Sequence, residues 1–116
     1  MGKKRLKLVH YLNQFFGGIG GEDKADIGPQ VRAGAVGPGR LAQQVLGEGN
    51  EIVATVICGD NYFAQDVEKA TGEVLNLIEP FKPDAVIAGP AFFAGRYAIA
   101  YILKWLVNGN HGVTAA

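Results

Sequence analysis

Cys58, Asp60, Asn61 and Tyr62 leave the chain together, a thiol, a carboxylate, an amide and a phenol within five residues. Such a set can hold a small polar molecule, and the thiol adds a nucleophilic or redox option. A thiol at a strand end near a helix N-terminus has its thiolate favoured. Against that, no histidine or second cysteine adjoins Cys58 to activate it, and a buried small hydrophobe is the plainer reading. Asp60 or Asn61 also suits the N-cap of a following helix, a role that needs no ligand. Farther along, Arg96 beside Gly95 is a candidate anchor for a carboxylate or phosphate, with an ordinary salt bridge as its alternative. Asn13 and the glycines Gly17, Gly18, Gly20 and Gly21 complete the candidate substrate-binding set with Asp60, Asn61, Tyr62, Gly95 and Arg96.

These residues need a scaffold that brings strand ends together. Glu51 to Ile57 is nearly continuous and β-branched, which predicts a strand covered on both faces, as in a parallel sheet between helices. Leu6 to Leu12 predicts a first strand and Asp84 to Gly89 a third, and His111 to Ala116 begins a fourth. A helix is expected from about Tyr62 to Phe81, with Phe63, Val67, Ala70, Val74, Leu75, Leu77 and Ile78 on its inner face, and another over Ala91 to Val107. Lys24 to Asn50, with Pro29, Pro38 and many glycines, is expected to be mostly irregular, with a turn or two of helix at Gly39 to Leu46. So long a connection in a small domain suggests a functional loop or one covered by another chain.

The fold class is therefore α/β: a three-layer, mostly parallel Rossmann-like or flavodoxin-like sheet of about four strands with helices on both faces, in the order 2-1-3-4. Ligands of such sheets sit beyond the carboxyl ends of the strands, where Cys58 to Tyr62 emerge. The glycine-rich segment after the first strand occupies the position of a phosphate loop, but it has neither the G-x-G-x-x-G spacing nor a terminal Lys-Ser/Thr pair. A structural turn, or a loop contacting something other than phosphate, fits it better.

The 116 residues suit a single domain, 1–116. Eleven basic residues balance eleven acidic ones, so no overall field draws nucleic acid or an anionic membrane, and Lys3, Lys4, Arg5 and Lys7 read as a solvated start. One cysteine excludes an internal disulfide or a multi-cysteine metal site and fits a reducing cytoplasm. His10 and His111 lie too far apart in sequence to suggest a shared metal, and Trp105 reads as packing. No signal peptide or membrane span is expected, since Lys7 and His10 interrupt the first apolar run and Arg96 and Lys104 the last. The final strand, stopping at Ala116, predicts an edge completed by a continuation or by a second chain.

The blocks HYLNQFFGGIGGEDKAD, VICGDNYF and IAGPAFFAGRY, with VRAGAVGPGR between the first two, resemble the amino-terminal part of the selenoprotein B subunit of the glycine/sarcosine/betaine reductase family. The resemblance covers nearly the whole chain. It implies a part in the reductive C–N cleavage of a small amine, with the carboxymethyl group passed to the selenium of a second selenoprotein and acetyl phosphate formed downstream. It also implies that no cofactor belongs to this chain. The family's selenocysteine lies in a carboxyl-terminal part without counterpart here, and the pyruvoyl carbonyl that engages glycine belongs to another subunit. The expected partners are other reductase subunits and a small amine or carboxylate, in a homo- or hetero-oligomer. The alternatives are a free-standing small-anion binder and a structural oligomerisation domain.

Overall fold

The computed structural model describes residues 6–90 and 114–115. Its sheet is built on β1 (Leu6–Asn13) and β3 (Asn50–Cys58), the two strands with the deepest burial. They run parallel, Leu6 opposite Asn50 and Asn13 opposite Cys58, with a register shift between Leu8 and Val9. β4 (Ala85–Ala88) pairs parallel on the other side of β1, and β5 (Thr114–Ala115) pairs parallel with β4. The four parallel strands thus stand in the expected order, the second beside the first and the third and fourth beyond it.

A fifth strand, β2 (Gln30–Ala33), adds antiparallel to the outer edge of β3 and corrects the expectation that Lys24 to Asn50 is irregular apart from one helix. Its local sequence is too short and too exposed to carry an alternating signal. Pairing with the open edge of β3 supplies the order instead, ending where Gly34 turns at φ +73° and donates to Val53. α1 (Gly39–Leu46) lies where the sequence predicts it.

Successive residues of β1 face opposite sides of the sheet. Val9 and Tyr11 join Ala54, Val56 and Cys58 in one apolar layer. That layer packs on Phe63 of α2 (Asp60–Gln65) and on Ala70, Val74 and Ile78 of α3 (Val67–Ile78). On the other side His10 meets Gly39 at the start of α1, so helices contact both faces. The single helix expected from about Tyr62 to Phe81 is two helices and a closing turn, Glu79–Phe81. The break falls at Asp66, at φ −152° and ψ 90°, whose carboxylate accepts from the Lys69 amide at 3.2 Å. Aspartate favours this capping geometry over a helix interior.

Among the described residues, no helix is long and apolar enough to cross a membrane. The expected helix from Ala91 to Val107, with Gly95, Arg96, Tyr97 and Trp105, lies outside the described residues, as do His111 and Lys3 to Arg5.

Candidate functional site

Asn13 and Cys58 end their strands side by side, so the chain leaves β1 and β3 at one place. Asn13 and Gln14 remain buried there, and both side chains work on the loops that follow. Asn13 accepts the Phe16 amide on Oδ1 at 2.9 Å and donates from Nδ2 to Asp60 Oδ2 at 3.0 Å. Gln14 accepts the Asp60 amide on Oε1 at 3.0 Å, while its carbonyl receives the amides of Ile19 and Gly20. The two residues tie the glycine-rich loop to the start of α2.

That loop lies directly on the strand end. A Cβ placed on Gly17 would stand 2.8 Å from Ile57 Cδ1, so glycine permits the approach. Farther along, after the 3-10 turn Glu22–Lys24, the backbone folds over the start of α2. The Ala25 carbonyl accepts from Asn61 and Tyr62 at 2.9 and 3.0 Å, and Ile27 accepts from Gly59 at 3.0 Å. The N-cap of α2 is Gly59, which corrects the expectation of Asp60 or Asn61; both stand in the first turn, and neither caps by its side chain. A carbonyl from residue 25 and an amide side chain from residue 14 have taken that work. The first amides of α2 therefore have protein acceptors, and none of the three is left to receive an anion.

The loop glycines differ in role. Gly18, at φ +77°, has open space around its Cα, Gly20 sits tightly against the Lys24 side chain, and Gly21 is in ordinary contact with Asp23. Asn61 is exposed and Tyr62 half-buried. Tyr62 donates from Oη to Glu73 Oε1 at 2.5 Å, and that bond, with burial second, holds its phenol up at about 12. Lys69 Nζ stands 5.9 Å from the ring centroid.

Burial dominates the remaining ionisable groups. Cys58 is fully buried and its thiol is pushed up to about 12 by desolvation, which outweighs the lowering influence of Tyr11 beside it. This is the reverse of the thiolate-favouring environment that a strand end before a helix suggests, because burial in the apolar layer penalises the charged form. The S–H donates to the Gly59 carbonyl at 3.6 Å. Tyr11 Oη is buried beside the Cys58 thiol, and burial raises its pKa far above the usual phenol range, helped by Cys58 and Asp60. Asp60 is half-buried, and desolvation raises its carboxyl although the Asn13 amide pulls the other way. With pKa values pushed up by burial and, at Tyr62, by the bond to Glu73, the thiol and both phenols are protonated at neutral pH.

On the far face His10 donates from Nε2 to the Gly89 carbonyl at 2.5 Å, which leaves Nδ1 as a buried acceptor without a partner among the described residues. Burial lowers its pKa, so the ring is neutral. Among the described residues no group of three or more histidine, cysteine, aspartate or glutamate side chains is arranged to hold a metal.

The structure thus gathers Asn13, the loop glycines, Cys58, Asp60, Asn61 and Tyr62 at one end of the sheet, while Gly95 and Arg96 lie outside the described residues. Sequence reasoning missed Gln14, Tyr11 and Glu73. Gln14 alone carried a signal, a second amide side chain directly after Asn13 at the end of a buried strand.

A family model described as glycine/sarcosine/betaine reductase selenoprotein B matches residues 5–111. The chain belongs to this family. It is 55% identical over 97 residues to the sarcosine reductase complex component B subunit beta of Peptoclostridium acidaminophilum, covering 84% of this chain and 22% of that protein. It is 58% identical over 95 residues to the glycine reductase complex component B subunit gamma of Symbiobacterium thermophilum, covering 82% and 22%. To the betaine reductase complex component B subunit beta of P. acidaminophilum it is 46% identical over 94 residues, covering 81% and 21%. The chain therefore spans about a fifth of the length of these curated relatives. No solved structure matches it.

Proposed function

We propose that this chain serves as the amino-terminal α/β portion of a component B subunit in a glycine/sarcosine/betaine reductase complex, shaping the site and the assembly and inactive alone. The observation that carries the reading is Cys58: the sole thiol of the chain is buried in the apolar layer between the sheet and α2–α3 and protonated, with its pKa at about 12. A chain so closely related to reductase subunits, yet holding its own thiol out of use, leaves the nucleophile to another part of the complex. Selenocysteine and a pyruvoyl carbonyl, contributed elsewhere in the complex, supply that chemistry. This chain's share is positioning. Asn13, Gln14 and Gly59 fix the cover over the strand ends, and Asp60 with Asn61 stands at that end to contact a small amine or carboxylate. Anion binding at the start of α2 is disfavoured, since its first amides are already taken.

Light scattering of the purified chain, with and without the remaining subunits of a glycine reductase complex, tests the reading. Capture into a species of larger mass supports it. A monomer that ignores those subunits at micromolar concentration overturns it.

A further inference from the structure

α1 runs back along the sheet. Gln43, in its middle, bonds the Ile52 amide and the Asn50 carbonyl at the start of β3, whereas Gly39, its first residue, stands over His10 farther along β1. The helix start therefore points toward the carboxyl ends of the strands. From β1 the chain crosses by α1 to β3, and from β3 it returns by α3 on the opposite face, past β1 to β4. The gap between β1 and β4 is thus where the crossovers reverse direction, and open α/β sheets take their ligands at such a point.

No side chain caps the start of α1. The Gly39 and Arg40 amides turn back onto the Val36 and Gly37 carbonyls, and the amides of Val36, Gly37 and Leu41 have no acceptor among the described residues. At α2, by contrast, other segments take the first amides. His10 is aimed into this uncapped start. It is 2% exposed, its Nε2 is committed to the Gly89 carbonyl across the gap, and its Nδ1, unpartnered among the described residues, lies 2.7 Å from where a Cβ on Gly39 would stand. A buried polar atom left unpaired is costly, so a partner there is worth binding.

Arg32, Thr55, His10 and Ile87 form one row across this face in register, and Thr55 holds the loop by donating to the Gly34 carbonyl at 2.8 Å. The residues beside and over the ring, Thr55, Ile87, Gly89 and Gly39, do not titrate. The charged side chains of the region are Arg32 and Arg40, both exposed and without an ion pair among the described residues. Glu48 and Glu51 stand at the other end of α1, roughly 12 Å along the helix.

We propose that the start of α1 and its glycine-rich approach, Gly34 to Gly39, form a site for a small oxyanion, carboxylate or phosphate, which takes the free amides, draws on Arg32 and Arg40, and shares one proton with Nδ1 of His10. Because Nε2 keeps its hydrogen on the Gly89 carbonyl, Nδ1 is an acceptor in the neutral ring, so anion and proton bind together. The uncapped first turn moves off the ring to admit them. The proposal goes beyond the reductase reading and does not depend on it, since it concerns binding by this chain alone.

The test is titration of the purified chain with sodium acetate and with inorganic phosphate at constant ionic strength, chloride serving as control, followed by NMR of the backbone amides and the His10 ring nitrogens. The expected result is saturable shifts at Val36, Gly37 and Leu41, with a dissociation constant of about 1–10 mM, and movement of Nδ1 to its protonated position. For acetate, affinity should fall about tenfold per pH unit above 6.5, one proton being taken up with each anion. His10→Gln, which keeps a donor for Gly89 but has no Nδ1, should abolish that slope, whereas Arg40→Gln should weaken binding about threefold and keep it. Tighter binding of phosphate than of acetate at one pH assigns the natural ligand to phosphates, and the reverse assigns it to carboxylates. No saturation by about 100 mM of either anion overturns the proposal. So do shifts centred on Asp60 to Tyr62, a slope absent in the wild-type chain, or a free chain whose Nδ1 already accepts from a donor. The wild-type slope decides the matter even where His10→Gln does not fold.

Discussion

Replacing Gly59 by alanine isolates the contact that holds the cover on the strand ends. Gly59 has φ −67° and ψ 137°, an extended backbone that alanine adopts without strain, so any cost comes from space alone. The added Cβ would stand 2.2 Å from the Ala25 carbonyl oxygen, 2.6 Å from its carbon and 2.9 Å from the Ile27 nitrogen. All three are backbone atoms, so the segment must move as a unit. Moving it threatens three hydrogen bonds: Gly59 to Ile27, and Asn61 and Tyr62 to Ala25. At about 1 kcal/mol net for each of the three bonds, plus overpacking of ~1–3 kcal/mol, the expected loss is about 4–6 kcal/mol. Domains of this size are stable by only ~5–15 kcal/mol. Urea unfolding reads the change as a lower midpoint at constant slope, and hydrogen exchange reads it as lost protection at the Asn61 and Tyr62 amides. Gly72→Ala is the control, since its Cβ would enter open space within α3 and should stabilise by ~0.5–1 kcal/mol. A Gly59→Ala loss below about 1 kcal/mol, with both amides still protected, would refute the reasoning.

Asp60→Ala leaves the buried Asn13 amide without its acceptor and should cost about 1–3 kcal/mol, whereas Asp60→Asn keeps an acceptor oxygen and should cost less; equal losses would contradict this bond. Because the folded pKa of Asp60 is raised, its favourable contribution is present below the ordinary carboxyl value of 3.8 and is lost as pH rises through the folded value. Asp60→Asn should therefore remove a decline in stability on that side, measured by urea midpoints across pH. His10 behaves oppositely: with its folded pKa lowered, its contribution is complete above 6.5 and is lost as pH falls below it towards the folded value. A folded His10→Asn variant that retained the same decline below 6.5 would remove the histidine from the explanation. Cys58, with its pKa at about 12, should react with maleimide at pH 8 only as fast as the chain opens, and rapid labelling without denaturant would show an accessible thiolate.

Much of the scaffold was legible because its signals are local. The β-branched runs through Ile52 to Ile57 and Asp84 to Gly89 declare buried strands, and right-handed crossovers then set their order. β2 was not legible, since Val31 to Ala33 are exposed and gain their order from the edge of β3. Asp66 falls inside the single helix expected from about Tyr62 to Phe81, and only its backbone geometry reveals a cap. At the candidate site the sequence placed Asn13, Asp60 and the loop glycines at one end of the sheet, where the structure also brings them together. It did not reveal that Ala25 and Gln14 occupy the first amides of α2, a contact between segments 30 to 50 residues apart that no local pattern encodes. For Cys58 the helix start argued for a thiolate and the plainer reading for a buried thiol, and burial decides for the thiol.

Under the proposed function the chain would contribute position and assembly to a reductase whose reactive groups lie elsewhere. The most direct test is release of acetyl phosphate and ammonia from glycine by three samples: the chain alone, a glycine reductase complex whose component B subunit lacks the matched amino-terminal region, and the two combined. The account predicts no product from the chain alone and restored turnover on combination. Product from the isolated chain, or a combination no more active than the truncated complex, would contradict it.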